Sequence, residues 1–495
     1  MQHLSLLAQE MVKTVRRFVR NGHTYVPTME LVKAVRADHT DSELIDALHE
    51  AIDEGHLIKT VLPDETTAIY QPAMYQMEKS TARRLQVIAE TSVAPIQMTT
   101  VKGNLSNEQA QAVRGCLSRK IAVLTGGPGT GKTTTLKSAI DVAEAAGLSV
   151  ILCAPTGQAA KRMRQATGRE ATTIHRLLGY NPETKECSLN KDNRLVGDLV
   201  VIDESSMLDL WLLHSLLRAV EDNIHILFVG DVDQLPSVAA GNVLSDIISS
   251  GIAYVAHLTK TFRQGNGSCI IQNAQAIKNG MMPALDNQNR DFFMFNVSPD
   301  KAGEMVADIV ANRIPKTFGF QPDEIQVLSP TYKGDAGVDD INTRLQQKLN
   351  PDSSWYVKHK NGIYKVGDRV IQIKNNYETC IMNGEVGQVV FIDKKNRTVT
   401  IQFDGRVIYT YKELWQIKLA YSITIHRSQG SEYKVVVIPV LEGNAMLQRH
   451  LLYTAITRAK QLVVLVGSGK AVQEAVNNIS ASQRWTALVA RIQNL

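Results

Sequence analysis

The sequence has little cysteine and no pairing pattern for what it has. Five cysteines stand alone at 116, 153, 187, 269 and 380, with no C-x-x-C pair. That excludes a disulfide framework and a zinc site of the usual spacing, and a reducing cytoplasm is the expected setting. No apolar run approaches the length of roughly 18 residues that a membrane span needs. The first residues, Met1-Gln2-His3-Leu4-Ser5, lack a charged region followed by an apolar segment, so neither membrane insertion nor secretion is expected. Internal repeats and low-complexity tracts are missing too. Strong charge of one sign is also absent. The net charge is +5, with residues 1–100 carrying −3 and the remainder +8. This basic excess is compatible with a phosphate-backbone partner without requiring one.

What is present is apolar content enough for several cores: 44% over 495 residues, the length of three or four ordinary units. The densest information lies in Gly126-Gly127-Pro128-Gly129-Thr130-Gly131-Lys132-Thr133, which fits G-x-x-x-x-G-K-[ST]. Glycines let successive backbone N–H groups turn inward around phosphate, a lysine reaches the β- and γ-phosphates, and a hydroxyl holds magnesium. The flanks fit a phosphate-binding loop. Ile121–Thr125 reads as a buried strand and Thr134 to Ala146 as a helix, whose first turn adds the positive end of its dipole. A nucleoside triphosphate and Mg2+ are the expected ligands.

Hydrolysis needs a metal ligand and a group to orient water. Val200-Val201-Ile202-Asp203-Glu204 ends a strand with both: Asp203, with Thr133, by the metal, and Glu204 by the attacking water. A third strand ends in Gly230-Asp231-Val232-Asp233-Gln234-Leu235-Pro236, where Gln234 is a candidate reporter of the γ-phosphate and a plain turn is the alternative. Arginines from outside the loop stabilise charge developing on the γ-phosphoryl oxygens. Arg263 in Thr261-Phe262-Arg263-Gln264 and Arg458 in Thr457-Arg458-Ala459-Lys460 are the candidates.

Around these motifs the chain divides. Residues 1–100 read as three helices and a hairpin, a winged-helix-like order, with Thr28 as a helix cap. This part either packs or contacts nucleic acid, and its acidic balance favours packing. Residues 101–262 alternate apolar strands and helices, as a parallel sheet buried on both faces requires. A second set of such strands, near 324–328, 435–438 and 462–466, predicts another α/β unit over 263–361 and 416–495. Short regular strands at 362–415 predict a small β-barrel inserted in it. Between His175 and Asp203, residues 180–197 are polar and turn-rich, and read either as a β-ribbon or as an ordinary loop.

As an ordered series these segments resemble superfamily 1 helicases of the RecD-like branch, over about residues 100–467. Leu105-Ser106-Asn107-Glu108-Gln109 resembles that family's adenine-reading motif, Ala154 to Ala160 and Thr173 to Leu178 its strand-contacting motifs, Gly230 to Pro236 its coupling motif, and Ser422 to Glu432 and Leu452 to Lys460 its last two. The resemblance implies two RecA-like P-loop domains with an SH3-like barrel in the second. It implies catalytic roles for Lys132, Asp203, Glu204, Gln234, Arg263 and Arg458. It also implies nucleotide contacts from Gln109, Gly127, Gly129, Thr130, Gly131, Lys132, Thr133, Thr134, Gly430 and Glu432, and DNA contacts from Pro155, Thr156, His175, Thr331, Thr424 and His426. It implies ATP as the nucleotide and a DNA-stimulated ATPase moving 5′ to 3′ on single-stranded DNA, acting at single/double-strand junctions in repair or recombination, and a monomer is expected. The segment 180–197 is read either as a β-ribbon pin that splits the duplex or as an ordinary polar loop. A translocase that displaces proteins without processive unwinding, and an ATP-switched DNA-binding subunit, stay open. Larger members carry a tandem helix-hairpin-helix region ahead of the part like 1–100; no such hairpin pair is visible here, and nothing resembles a nuclease domain.

Overall fold

The computed structural model describes residues 4–36, 39–92, 105–262, 268–288, 290–351, 354–376, 378–379, 381–479 and 483–494. Two parallel sheets organise it. In the first, the strands run in the order Tyr254–Leu258, Ile121–Gly126, His225–Gly230, Leu199–Ile202, Val150–Ala154 and Thr172–Thr173. Every pairing is parallel. Side chains alternate between faces, as a strand's period of two dictates. Ile121 and Val123 enter one core with Val200, Ile202 and Phe228; Ala122 and Leu124 enter the other with Val201, Leu227 and Val229. The helices Asn107–Leu117, Lys132–Ala145 and Gly157–Thr167 cover the second face; Leu210–Ala219 and Val243–Ser250 cover the first.

The second sheet runs Phe292–Asn296, Ala459–Gly467, Tyr433–Val440, Ile325–Ser329 and Ser422–Thr424, again all parallel. The two units are RecA-like domains, and the five-stranded antiparallel barrel lies between Ile325–Ser329 and Ser422–Thr424 in the chain. Its strands span Arg369 to Leu419. The hairpin Tyr356–His359/Gly362–Lys365 puts Val357 and Tyr364 into the same core, so the barrel's core draws on residues outside the 362–415 read from the sequence.

The N-terminal part is ordered helix Leu6–Arg20, strand Tyr25–Pro27, helices Thr28–Val35 and Asp41–Asp53, and hairpin Ile58–Val61/Thr67–Tyr70, the three strands forming one antiparallel sheet. Thr40 caps Asp41–Asp53 through a capping box with Glu43. Thr28, expected as a cap, instead starts its helix and donates its hydroxyl to the Thr67 carbonyl at 3.0 Å. Two sequence boundaries also shift. Helix Pro72–Glu90 buries Ala82, Leu85 and Ile88 against the first RecA-like domain, and Leu488 and Ile492 join them there rather than in the second domain. The buried Glu78 carboxylate ties these parts together. It accepts from Thr24 Oγ1, Tyr70 Oη, the Ala487 N–H and Arg491 Nε at 2.8–3.2 Å. Among the described residues, no helix is long and apolar enough to cross a membrane.

Candidate nucleotide site and nucleic-acid track

The loop between Ile121–Gly126 and helix Lys132–Ala145 is set by its glycines. Gly129 and Gly131 adopt φ of +72° and +83°, where a side chain is strained. A Cβ on Gly131 would also lie 2.3 Å from Gln109 Nε2. Lys132 Nζ donates to the Gly126 and Gly127 carbonyls at 2.6 and 3.0 Å, and Thr130 Oγ1 to Gly127 O at 2.9 Å. The loop thus curls around its own lysine, at the mouth of a cleft of about 370 Å³.

Both carboxylates of the strand Leu199–Ile202 line that cleft. The Asp203 N–H donates to Cys153 O at 3.0 Å, fixing the strand end against its neighbour. Glu204 takes the left-handed conformation, φ +50°, and donates its N–H to Asp203 Oδ1 at 2.8 Å. That geometry is uncommon for glutamate, and it turns two consecutive carboxylates toward one cavity. Burial, and then the charge of Glu204, raise the Asp203 pKa. Two adjacent carboxylates, beside the Thr133 hydroxyl on the same wall, form a donor set suited to a hard divalent cation that also binds phosphate.

The opposite wall comes from the second domain: Glu432, Thr457 and Arg458. Arg458 is 4% exposed. It donates to the Thr454 and Ser431 carbonyls at 3.2 Å and to Thr457 Oγ1 at 3.5 Å. No carboxylate lies within ion-pair distance of it among the described residues. A buried guanidinium held only by neutral oxygens keeps its charge available to an anion in the cleft.

Gln234 stands where the two domains meet. Its Nε2 donates to Asp231 Oδ2 at 3.2 Å, and Tyr453 Oη donates to the same oxygen at 2.9 Å. The Leu235 N–H donates to Thr454 Oγ1 at 2.9 Å, and Gln429 Nε2 to Leu235 O at 3.0 Å. Gln234 Oε1 is buried without a partner, and the residue lines the cleft.

Three stretches of the chain match known domain families. Residues 104–293 match an AAA domain model, residues 341–403 the ATP-dependent RecD-like DNA helicase SH3 domain, and residues 419–466 the UvrD-like helicase C-terminal domain. The chain is 36% identical to the ATP-dependent RecD2 DNA helicase of Deinococcus radiodurans, over 95% of this chain and 66% of that protein. It is 33% identical to the RecBCD enzyme subunit RecD of Mycolicibacterium smegmatis, over 78% of this chain and 75% of that protein. The chain belongs to the RecD family of DNA helicases. It spans just under two thirds of the length of the Deinococcus relative. A solved Pif1 helicase from Candida albicans aligns with TM-score 0.49 and 21% identity, over 75% of this chain and 96% of that one.

Set against this RecD-type frame, the expected site residues fall into groups. Gly129, Thr130, Gly131, Lys132, Thr133, Asp203, Glu204, Gln234, Glu432 and Arg458 line one cleft. Gly127 lies beside the Tyr453 hydroxyl, a Cβ there being 3.6 Å from it. Gln109 packs behind Gly131 and accepts the Ser106 N–H at 3.0 Å within a capping box, and Thr134 is exposed on the helix. Gly430 offers its carbonyl to Arg162 at 2.9 Å. Arg263 lies outside the described residues. Pro155, Thr156, Thr331, Thr424 and His426 all sit at or just past carboxyl ends of parallel strands. Thr156 caps helix Gly157–Thr167, and the 5%-exposed Thr424 caps Ile425–Ser428. His175 stacks on Trp211, centroids 5.5 Å apart, with Tyr180 edge-on to both. Burial lowers the pKa of His175 and of His426, keeping both rings neutral near pH 7.

The sequence reading missed Arg162. It sits with Ala159, Met163 and Ala166 on the cleft-facing stripe of its helix, and an arginine at i+3 of an apolar stripe was the available signal. Arg162 Nη2 lies 3.3 Å from Glu432 Oε2, and Nη1 lies 3.9 Å from Glu204 Oε1. Also missed were Tyr453 and Thr454, which hydrogen-bond Asp231 and the Leu235 N–H across the domain boundary.

Proposed function

We propose that this chain is an ATP-driven motor that moves 5′ to 3′ on single-stranded DNA and opens duplex ahead of it, a role that fits DNA repair or recombination. The observation that carries the reading is Arg458. It is a buried cation of the second RecA-like domain on the same cleft as Lys132, Asp203 and Glu204 of the first.

Lys132 leaves the loop carbonyls for the β- and γ-phosphates. Thr133 and Asp203 would hold a magnesium ion, whose charge would offset that of the phosphate oxygens. Glu204 orients water, and Arg458, with Arg263 as its proposed partner, stabilises the leaving charge. Loss of the γ-phosphate removes what draws Arg458 toward Lys132. Through Gln234, Asp231 and Tyr453 the second domain then moves against the first. With Pro155 and Thr156 gripping from one domain and Thr331 and His426 from the other, each closure and opening shifts the strand.

Residues Tyr180–Asn181 and Glu186–Cys187 pair as a short antiparallel ribbon, and we assign it the splitting of the duplex. Deleting 184–193 should abolish strand separation while sparing DNA-stimulated ATPase. The polarity is tested with duplexes carrying a 5′ or a 3′ tail. Displacement from 5′ tails supports the reading, and displacement only from 3′ tails would overturn it.

A further inference from the structure

A groove that the nucleotide cycle does not use runs behind the ribbon. Its walls are helix Pro72–Glu90 and helix Leu210–Ala219, and its floor continues under residues 185–194. Two adjoining cavities of about 670 and 480 Å³ make it up, sharing Met77, His214 and Arg218. Six basic side chains line it: Arg83, Arg84, Lys185, Lys191, Arg194 and Arg218.

The six divide by their partners. Arg84 is bound to Asp222 and to the Leu217 and Val220 carbonyls, and Arg194 to Glu221 at 2.8 Å. These two knit the wall together. Arg83, Lys185, Lys191 and Arg218 have no carboxylate within ion-pair distance among the described residues, and all four are exposed. Glu186 and Asp192 are the acidic side chains on the ribbon's side of the groove. His214 hydrogen-bonds Ser80 Oγ at 3.0 Å and is held neutral by burial. The N-terminal part is acidic overall, so an unpaired cation on its connecting helix, Arg83, stands out.

Position gives the groove a ligand. Trp211 stacks on His175 and also lines the groove. The ribbon touches both: Tyr180 belongs to the aromatic cluster, and Lys185, Glu186 and Cys187 line the basic channel. If a duplex opens on the ribbon with one strand beside His175, the channel is the surface next to the ribbon left for the other.

We propose that this groove takes the sugar-phosphate backbone of the second strand, the one excluded from the motor track, through Arg83, Lys191 and Arg218. The proposal rests on the motor reading above. Phosphate contacts of this kind hold a strand without reading its sequence and weaken with salt. Holding the excluded strand opposes reannealing behind the ribbon.

The test uses the full chain and equilibrium binding without ATP. Two DNAs share a duplex and a 5′ tail; one also carries a 3′ arm. The wild type should bind the two-armed fork roughly tenfold more tightly, and with a steeper salt dependence. In R83E/R218E that preference should vanish. Binding of single strands, and the ATPase they stimulate, should stay as in the wild type and certify the fold. Three results overturn the proposal: no fork preference in the wild type, a variant that keeps the preference, or equal weakening on both DNAs, which assigns the cations to the duplex. An unaffected variant would leave the groove to an acidic protein partner. Failure of the motor reading looks different, since the wild type would then separate no strands whatever the fork binding shows.

Discussion

The Tyr453 hydroxyl of the second RecA-like domain donates to Asp231 Oδ2 of the first at 2.9 Å, and that same oxygen holds Gln234 Nε2. Asp231 is 1% exposed and Tyr453 3%. Burial, and then Asp231, push the phenol's pKa well up, so the proton stays on tyrosine. One oxygen therefore links Gln234, which lines the cleft, to a helix of the other domain.

Tyr453→Phe removes that link and leaves a buried carboxylate one donor short, a loss of about 1–3 kcal/mol. The ratio of DNA-stimulated to basal ATPase should fall roughly tenfold while ATP binding changes little. An unchanged ratio in steady-state assays would remove Tyr453 from the coupling path.

Arg162 holds the cleft's two walls from the side, through the Gly430 carbonyl and Glu432. Arg162→Ala should raise the KM for ATP several-fold and lower kcat, because closure loses its bridge and Glu204 its nearest cation. Arg162→Lys should restore little, since an ammonium lacks the fork that serves both acceptors. Wild-type kinetics in either variant would make Arg162 a bystander.

These links also mark where the sequence stops being legible. The phosphate loop, the Asp203–Glu204 pair and the long apolar strands are local patterns, written in a few consecutive residues. Arg162–Gly430, Tyr453–Asp231 and Gln429–Leu235 join residues 268, 222 and 194 apart, and no spacing rule points from one partner to the other. Strands Ser422–Thr424 and Thr172–Thr173 are too short to show a period. Tyr254–Leu258 is an edge strand with His257 exposed, so it breaks the apolar run that marked its neighbours. The return of Leu488–Gln493 to the first domain depends on Glu78 and a shared apolar face, which become visible only once the chain is folded.

Asp246 makes stability depend on pH. It is buried on helix Val243–Ser250 and accepts from Thr486 Oγ1 at 3.0 Å. Burial, opposed by that hydrogen bond and reinforced by Glu78, raises its pKa from 3.8 to about 7, with Arg484 acting the other way. The folded state thus holds a proton that the unfolded chain has released. The stabilisation from this group is full below about pH 4 and is lost as pH rises through 7, at up to about 1.4 kcal/mol per pH unit. Denaturant titrations of Asp246→Asn should show a shallower decline over that window. A steeper or identical decline would contradict the assignment.

The most direct test of a site shared between two domains is ATP turnover by Arg458→Ala on single-stranded DNA, with nucleotide binding measured on the same sample. Binding should stay within a few-fold of wild type, because the loop and Lys132 are intact. Turnover should drop by about 10³-fold or more, the usual worth of an arginine supplied from outside the loop. Turnover near the wild-type rate would mean that the first domain hydrolyses ATP alone, and the account of a cleft worked by both would fail.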